Sequence, residues 1–156
     1  MNNEQFNPLK QVAEFHTLFD HPILTTPTIP DKQRCELRYG LLSEEVKEMK
    51  IAAEQGDIVG VADALCDIQY VLAGAILEFG LAEKFPALFN EVQRSNMSKA
   101  CATKEEAQKT CDYWTTSGNE ACHIVEKDGL FLVYRTRDGK TMKNINYSPA
   151  NLEPLL

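Results

Sequence analysis

Apolar residues run almost unbroken from Ile58 to Phe79, and the charges that interrupt the run, Asp63, Asp67 and Glu78, are all acidic. The stretch before it, residues 31–55, mixes apolar and charged positions at helical spacing and ends at Gly56. Pro30-Asp31 suits a helix start, Gly56 a helix stop, and Asp57 an N-cap for the next helix. Together they predict two antiparallel helices, 31–55 and 58–79, each roughly 36 Å long and folded back at Gly56. Phe6, Leu9, Val12, Phe15 and Phe19 recur at steps of three and four, predicting an amphipathic helix over 4–19. A loop rich in proline and threonine joins it to the hairpin. A further helix beginning near Pro86 carries Leu88, Phe89, Val92 and Met97.

The periodicity changes after Lys99. Thr103 and Glu106 stand as a capping box before a short helix over 104–116, which stops near Gly118. Beyond it, 123–126, 130–135 and 140–143 read as strands separated by Asp128-Gly129 and Asp138-Gly139, the dipeptide of tight hairpins. The tail from Asn144 to Leu156 carries two prolines and reads as extended. The expected fold is mainly α: an antiparallel helical bundle over 1–100, then a small α+β appendage over 101–156. The helix 58–79 is apolar on nearly every side and needs neighbours on every side. One chain supplies too few, so a homo-oligomer, a homodimer or homotetramer, is expected.

Composition narrows the function. The chain has 156 residues and a net charge of −7, with no basic stripe, which argues against a nucleic-acid polymer or an anionic membrane as partner. Two central acids argue against the apolar helix as a membrane span. Polar opening residues give no secretory pattern, and the five cysteines then read as reduced thiols of a cytoplasmic protein. Cys101, Cys111 and Cys122, with His123, have spacings unlike those of zinc sites.

The chemistry is in the acids. Glu45 lies 11 residues before Gly56 and Asp67 lies 11 after it, while Glu48 and Asp63 lie 8 before and 7 after. A hairpin turning at Gly56 brings the four together roughly 12 to 16 Å from the turn. Acids gathered inside a bundle repel one another unless a cation sits between them. Glu45, Glu48, Asp63 and Asp67 are therefore candidate metal ligands, and an all-oxygen set suits magnesium, with manganese as an alternative. The competing reading of Glu44, Glu45 and Glu48 is a solvated helix face beside Lys47 and Lys50. A di-iron bundle needs Glu-x-x-His motifs, and no histidine lies in the hairpin. Arg94, Asn96 and Lys99 end the helix after Pro86, where cations favour the helix dipole or could bind phosphate oxygens. Phe15, His16 and Phe19 could wall a nucleobase, although core packing is the commoner fate of phenylalanine.

These strings resemble the MazG-like, all-α nucleoside triphosphate pyrophosphohydrolases, and most of all the phosphoribosyl-ATP pyrophosphohydrolase-like group. The resemblance rests on FHTLFDHPILTTPTIP, LLSEEVKE, DALCDIQYVLAG and EVQRSNMSK, with a later echo in DGKTMKNINYSPANL. It implies magnesium-dependent cleavage between the α- and β-phosphates of a nucleotide, releasing a monophosphate and pyrophosphate. Carried across, Glu44, Glu45, Glu48 and Asp67 match the metal-binding acids, with Glu44 and Glu45 also placed to act in catalysis. Asn96 and Lys99 match the phosphate-contacting end of the motif. The family signature has a glutamate three residues before its final aspartate, and Ala64 stands there, with Asp63 as the nearest substitute. Two other functions fit the same strings: hydrolysis of phosphoribosyl-ATP itself, and a nucleotide or metal sensor without catalysis.

Overall fold

A computed structural model describes residues 6–156. Among these the chain forms five α-helices, α1 (Pro8–Leu18), α2 (Lys32–Gln55), α3 (Ile58–Glu78), α4 (Phe85–Met97) and α5 (Lys104–Ser117), and two strands, β1 (Cys122–Lys127) and β2 (Leu130–Arg135). They divide into two compact units, one ending at Phe85 and the other spanning Pro86–Leu156. The sequence placed the boundary after residue 100; the structure groups α4 with the C-terminal residues.

The first unit is a helical hairpin with α1 laid on it. Asp31 caps α2 by accepting from the Arg34 amide at 3.0 Å. Gly56 ends it in the left-handed region, at φ 71°, and Asp57 Oδ1 caps α3 by accepting from the amides of Val59 and Gly60. α1 is shorter than the expected 4–19. Asn7 caps it through the Lys10 amide and Pro8 takes the first turn, so Phe6 stays outside the helix. Residues 4 and 5 lie outside the described residues. Val12, Ala73 and Leu77 form the core where α1 meets α3.

The proline- and threonine-rich loop docks on the end of α3. The amides of Leu24 and Thr28 donate to the carbonyls of Leu77 and Phe79, each at 3.0 Å, satisfying acceptors that a helix end leaves free. Gly80 makes this docking possible. Its φ is +67°, and a Cβ there would overlap the backbone carbonyl of Thr26. Gly80→Ala should therefore destabilise the protein by at least about 1–2 kcal/mol from backbone conformation alone. A urea denaturation midpoint unchanged from wild type would contradict this.

In the second unit Cys101, Ala107, Val133 and Met142 form the core. Thr103 accepts from the Glu106 amide, and Glu106 reaches back to the amide of Ala102, one residue earlier than in the usual capping box. β1 and β2 pair antiparallel from Cys122↔Arg135 to Lys127↔Leu130, around Asp128 and Gly129 at φ 51° and 77°. The expected third strand is reduced to an isolated bridge between Tyr134 and Thr141. It is held by two backbone bonds, Lys140 O accepting from Arg135 and Val133 O from Met142. The tail is mostly irregular, with a 3₁₀ turn at Glu153–Leu155. Side chains anchor it along α4: Ser95 to Tyr147, Ser98 to the Ser148 amide and Glu91 to the Asn151 amide.

Candidate functional site

Residues three and four apart share a helix face. On α2 that spacing joins Arg34, Arg38, Leu41, Glu45 and Glu48, and on α3 it joins Asp63, Asp67, Tyr70, Gly74 and Glu78. Because the helices are antiparallel about Gly56, the glutamates of α2 stand opposite the aspartates of α3. The arginines stand opposite Gly74 and Glu78. The seam therefore has an acidic end near the turn and an ion-paired end away from it.

At the acidic end Glu45 is the inward residue. Its Oε2 is buried and has no hydrogen-bond partner. Its carboxyl pKa is raised, first by desolvation and then by the charges of Asp67, Glu48, Glu44 and Asp63. The two helices thus bring the predicted acids close enough to repel one another. The depth differs from the expectation. Glu44, Glu48, Asp63 and Asp67 are exposed and Glu45 alone is half-buried, because part of α3 lies bare beside them: Ile58 and Val59 are each 75% exposed and Leu65 is 50% exposed. Among the described residues no three His, Cys, Asp or Glu side chains already converge on one point where an ion would sit. The donors nevertheless fit a hard divalent cation. They are all carboxylate oxygens, and one is buried with nothing to satisfy it. Ala64, where the family signature has glutamate, is 3% exposed and packed away.

At the other end Glu78, 1% exposed, accepts from both Arg34 and Arg38. Desolvation pushes the Glu78 carboxyl up, but the hydrogen bonds and charges of Arg38 and Arg34 outweigh it and hold the pKa below its usual value. His16, also 1% exposed, sits against Arg38. Its Nδ1 lies 2.9 Å from the Pro22 carbonyl, so that nitrogen carries the proton, and Nε2 accepts from Arg38 Nη2 at 3.1 Å. Burial and the Arg38 charge lower its pKa, so the ring is neutral. Gly74 allows this approach, since a Cβ there would lie 2.6 Å from Arg38 Nη1 and 3.0 Å from His16 Nε2.

Between these groups lies a cavity of about 280 Å³ lined by Phe15, His16, Arg38, Leu41 and Tyr70 among others. Phe15 and Phe19 are 37% and 56% exposed rather than in the core. Their ring centres lie 4.4 Å apart with the planes tilted by 39°, and Phe15 meets Tyr70 edge-on at 5.7 Å. Core packing is satisfied from α1 by Val12 instead, which leaves Phe15 at the rim.

Arg94, Asn96 and Lys99 lie in the second unit. Arg94 holds Glu91 through two bonds of 2.7 Å and donates to Ser148 and the Pro149 carbonyl. Two of these four bonds reach the tail. Lys99 Nζ donates to Asn96 Oδ1 at 2.7 Å, and Asn96 Nδ2 to the Val92 carbonyl at 3.0 Å.

Arg34, Arg38, Tyr70, His21 and Glu78 were not among the residues singled out by the sequence. The available signal was a pair of arginines four apart on the stripe of Glu45, together with a lone glutamate in the last, otherwise apolar, turn of α3.

A family model described as Phosphoribosyl-ATP pyrophosphohydrolase matches residues 12–96, more than half of the chain. A protein of Acanthamoeba polyphaga mimivirus, "Uncharacterized protein L479", is 22% identical across 99% of this chain and 98% of its own length.

Proposed function

Since the chain belongs to the phosphoribosyl-ATP pyrophosphohydrolase family, within the MazG-like superfamily, we propose that it cleaves the α–β anhydride of a nucleoside triphosphate, with magnesium held at the acidic end of the α2–α3 seam. The family supports a hydrolase acting on phosphoric anhydrides. The observation that carries the finer reading is Glu45, with a buried, unpartnered oxygen in the field of four other carboxylates.

In this reading Glu45, Glu48 and Asp67 hold the ion, and Asp63 lies alongside in place of the glutamate absent at Ala64. Magnesium bound there, with manganese able to replace it, would neutralise phosphate charge and make a water molecule more acidic. Glu44 follows the same turn and is exposed, where it takes a proton from the attacking water. Glu45 would serve as a ligand through the buried oxygen that has no hydrogen-bond partner. For Asn96 and Lys99 we propose contact with phosphate oxygens on the strength of the family motif, with Arg94 fixing the tail beside them.

The assay is pyrophosphate release with magnesium from a panel of canonical and modified nucleoside triphosphates. The expected products are monophosphate and pyrophosphate in equal amounts, and failure of metal-loaded protein on the whole panel would overturn the proposal. The family match also favours a second reading, phosphoribosyl-ATP as the substrate. Faster release from that compound than from any triphosphate would select it.

A second copy of the chain is proposed as the cover for the apolar side of the hairpin. Ile58, Val59, Val46, Leu65 and Ile51 are 42–75% exposed there. By length and composition α3 could also cross a membrane, but the packing of its other side on α1 and α2 and its exposed Asp63 and Asp67 favour protein as the neighbour. A cytoplasmic location accords with this. Sedimentation at micromolar concentration should give a dimer or tetramer of the 17.6 kDa chain, and a stable monomer would refute it.

A further inference from the structure

We propose that Cys111 and Cys122 form a thiol–disulfide exchange site, where a small-molecule disulfide oxidises the pair to an internal disulfide that ties α5 to β1. This chemistry is separate from the hydrolase reading and does not rest on it. The five cysteines have different surroundings. Cys35 and Cys66 belong to the first unit, where the Cys35 thiol donates to the Pro30 carbonyl at 3.5 Å and Cys66 is exposed. In the second unit Cys101 is fully buried, with its sulfur 3.7 Å from the Thr110 hydroxyl. Cys111 and Cys122 are half-buried, so a reagent in solution can reach them.

The fold brings the two sulfurs together. Cys111 follows the buried Ala107 by four residues on one face of α5. Cys122 opens β1, whose side chains alternate: Cys122 and Ile124 are half-buried, His123 and Val125 exposed. Both cysteines pack on the core of Cys101, Ala107, Val133 and Met142. The connection between them folds back on the helix. The amides of Gly118 and Glu120 donate to the Trp114 carbonyl at 3.0 and 3.1 Å, and the Thr115 hydroxyl donates to the Cys111 carbonyl at 2.9 Å. The strand thus starts beside the helix face that carries Cys111, and the two thiols hydrogen-bond to each other. His123 turns to the opposite face of β1, so the pair lacks the four ligands of a structural zinc site.

Cys111 is the first nucleophile. The Cys122 thiol donates to the Glu120 carbonyl at 3.2 Å, and burial, with Cys111 beside it, pushes its pKa above the usual value. Cys122 therefore keeps its proton while Cys111 reacts. The Cys111 thiolate, its proton lost to water, attacks one sulfur of the small disulfide; that bond breaks and one small thiolate leaves and is protonated. Cys122 then releases its proton to water and attacks the Cys111 sulfur of the mixed disulfide. The protein disulfide forms as the second small thiolate leaves and takes up a proton. Two protein thiols and one small disulfide become one protein disulfide and two small thiols, so the protein loses two electrons and the small molecule gains them. Excess small thiol reverses the exchange, as for the transient disulfides of reducing compartments. The tie fixes the helix that holds the start of the tail, where Trp114 donates to the Lys143 carbonyl at 2.8 Å and Thr110 accepts from the Ile145 amide at 3.2 Å.

The probe is oxidised glutathione, equilibrated with the full chain and read by mass spectrometry of tryptic peptides without reduction. Cleavage after Lys109 and Lys127 leaves both cysteines on one peptide, 110–127. In wild type that peptide should become two hydrogens lighter and carry no glutathione. The fluorescence of Trp114, the chain's single tryptophan, should fall in step and recover with dithiothreitol. Cys122→Ser should stop at a glutathione adduct on Cys111, and Cys111→Ser should leave the peptide without an internal bond; circular dichroism confirms that both variants fold. Oxidised wild type should melt about 5 °C above the reduced protein, because the bond restricts the unfolded chain. A bond from Cys101 to either cysteine, a lasting glutathione adduct on Cys111 or Cys122 of wild type, or thiols unchanged by excess oxidised glutathione would overturn the proposal.

Discussion

Asp67→Asn should lower magnesium-dependent pyrophosphate release on the order of 10³-fold, while the metal-free protein stays as stable as wild type or becomes more so. Both halves follow from one geometry. Asp67 is the largest charged contributor to the raised pKa of Glu45, so neutralising it removes repulsion from the empty site and a ligand from the loaded one. The pH dependence has a definite sign. An acid whose folded pKa is raised contributes stability below its unfolded pKa and loses that contribution as pH rises through the folded value. Metal-free wild type should therefore lose stability as Glu45 ionises, and Asp67→Asn should lose less. Thermal melts of both proteins from pH 4 to 8, with and without magnesium, check this. A mutant that unfolds readily without metal would make Asp67 a structural residue instead.

Glu78→Gln should produce the largest loss of stability, about 3–5 kcal/mol, because it leaves Arg34 and Arg38 without their buried anion. Arg38 is only 8% exposed, so water cannot take over from the carboxylate. Here the pH sign is opposite. The Glu78 carboxyl is held below its usual value, so its contribution is present above the ordinary carboxylate range, about 4.3, and is lost as pH falls through the lowered folded value. Urea denaturation at pH 7 and pH 3 separates the terms. The gap between wild type and variant should be wide at pH 7 and narrow at pH 3. A gap under 1 kcal/mol at pH 7 would mean that the arginines find other partners.

The hairpin was legible because its punctuation is chemical. Asp31, Gly56 and Asp57 each perform the capping role their side chain or backbone freedom allows, and the acids are tied to the turn by counting. The third strand was not legible, since alternation over 140–143 cannot reveal that only two ladder bonds form. Nor was the depth of the acids. The apolar run of α3 suggested burial all round, whereas within its unit the helix lies against α1 and α2 and leaves Ile58, Val59 and Leu65 bare. Core packing, the commoner fate of phenylalanine, is not what Phe15 and Phe19 show, at 37% and 56% exposed. Phenylalanine on an amphipathic helix usually packs inward, but here Phe15 rims a cavity, and what shapes that cavity is the partnership of Arg38, His16 and Glu78. Those residues are 22 to 62 positions apart in sequence, and no local pattern joins them.

Manganese binding, followed by electron paramagnetic resonance, tests most directly whether the carboxylates of α2 and α3 share an ion. Wild-type protein should bind at least one manganese per chain and release it to excess magnesium. Glu45→Gln and Asp67→Asn should each weaken binding at least tenfold, while a change at Glu54, exposed near the end of α2, should not. Equal binding by all four proteins, or none by wild type even with a non-hydrolysable triphosphate present, would leave the acids without their ion.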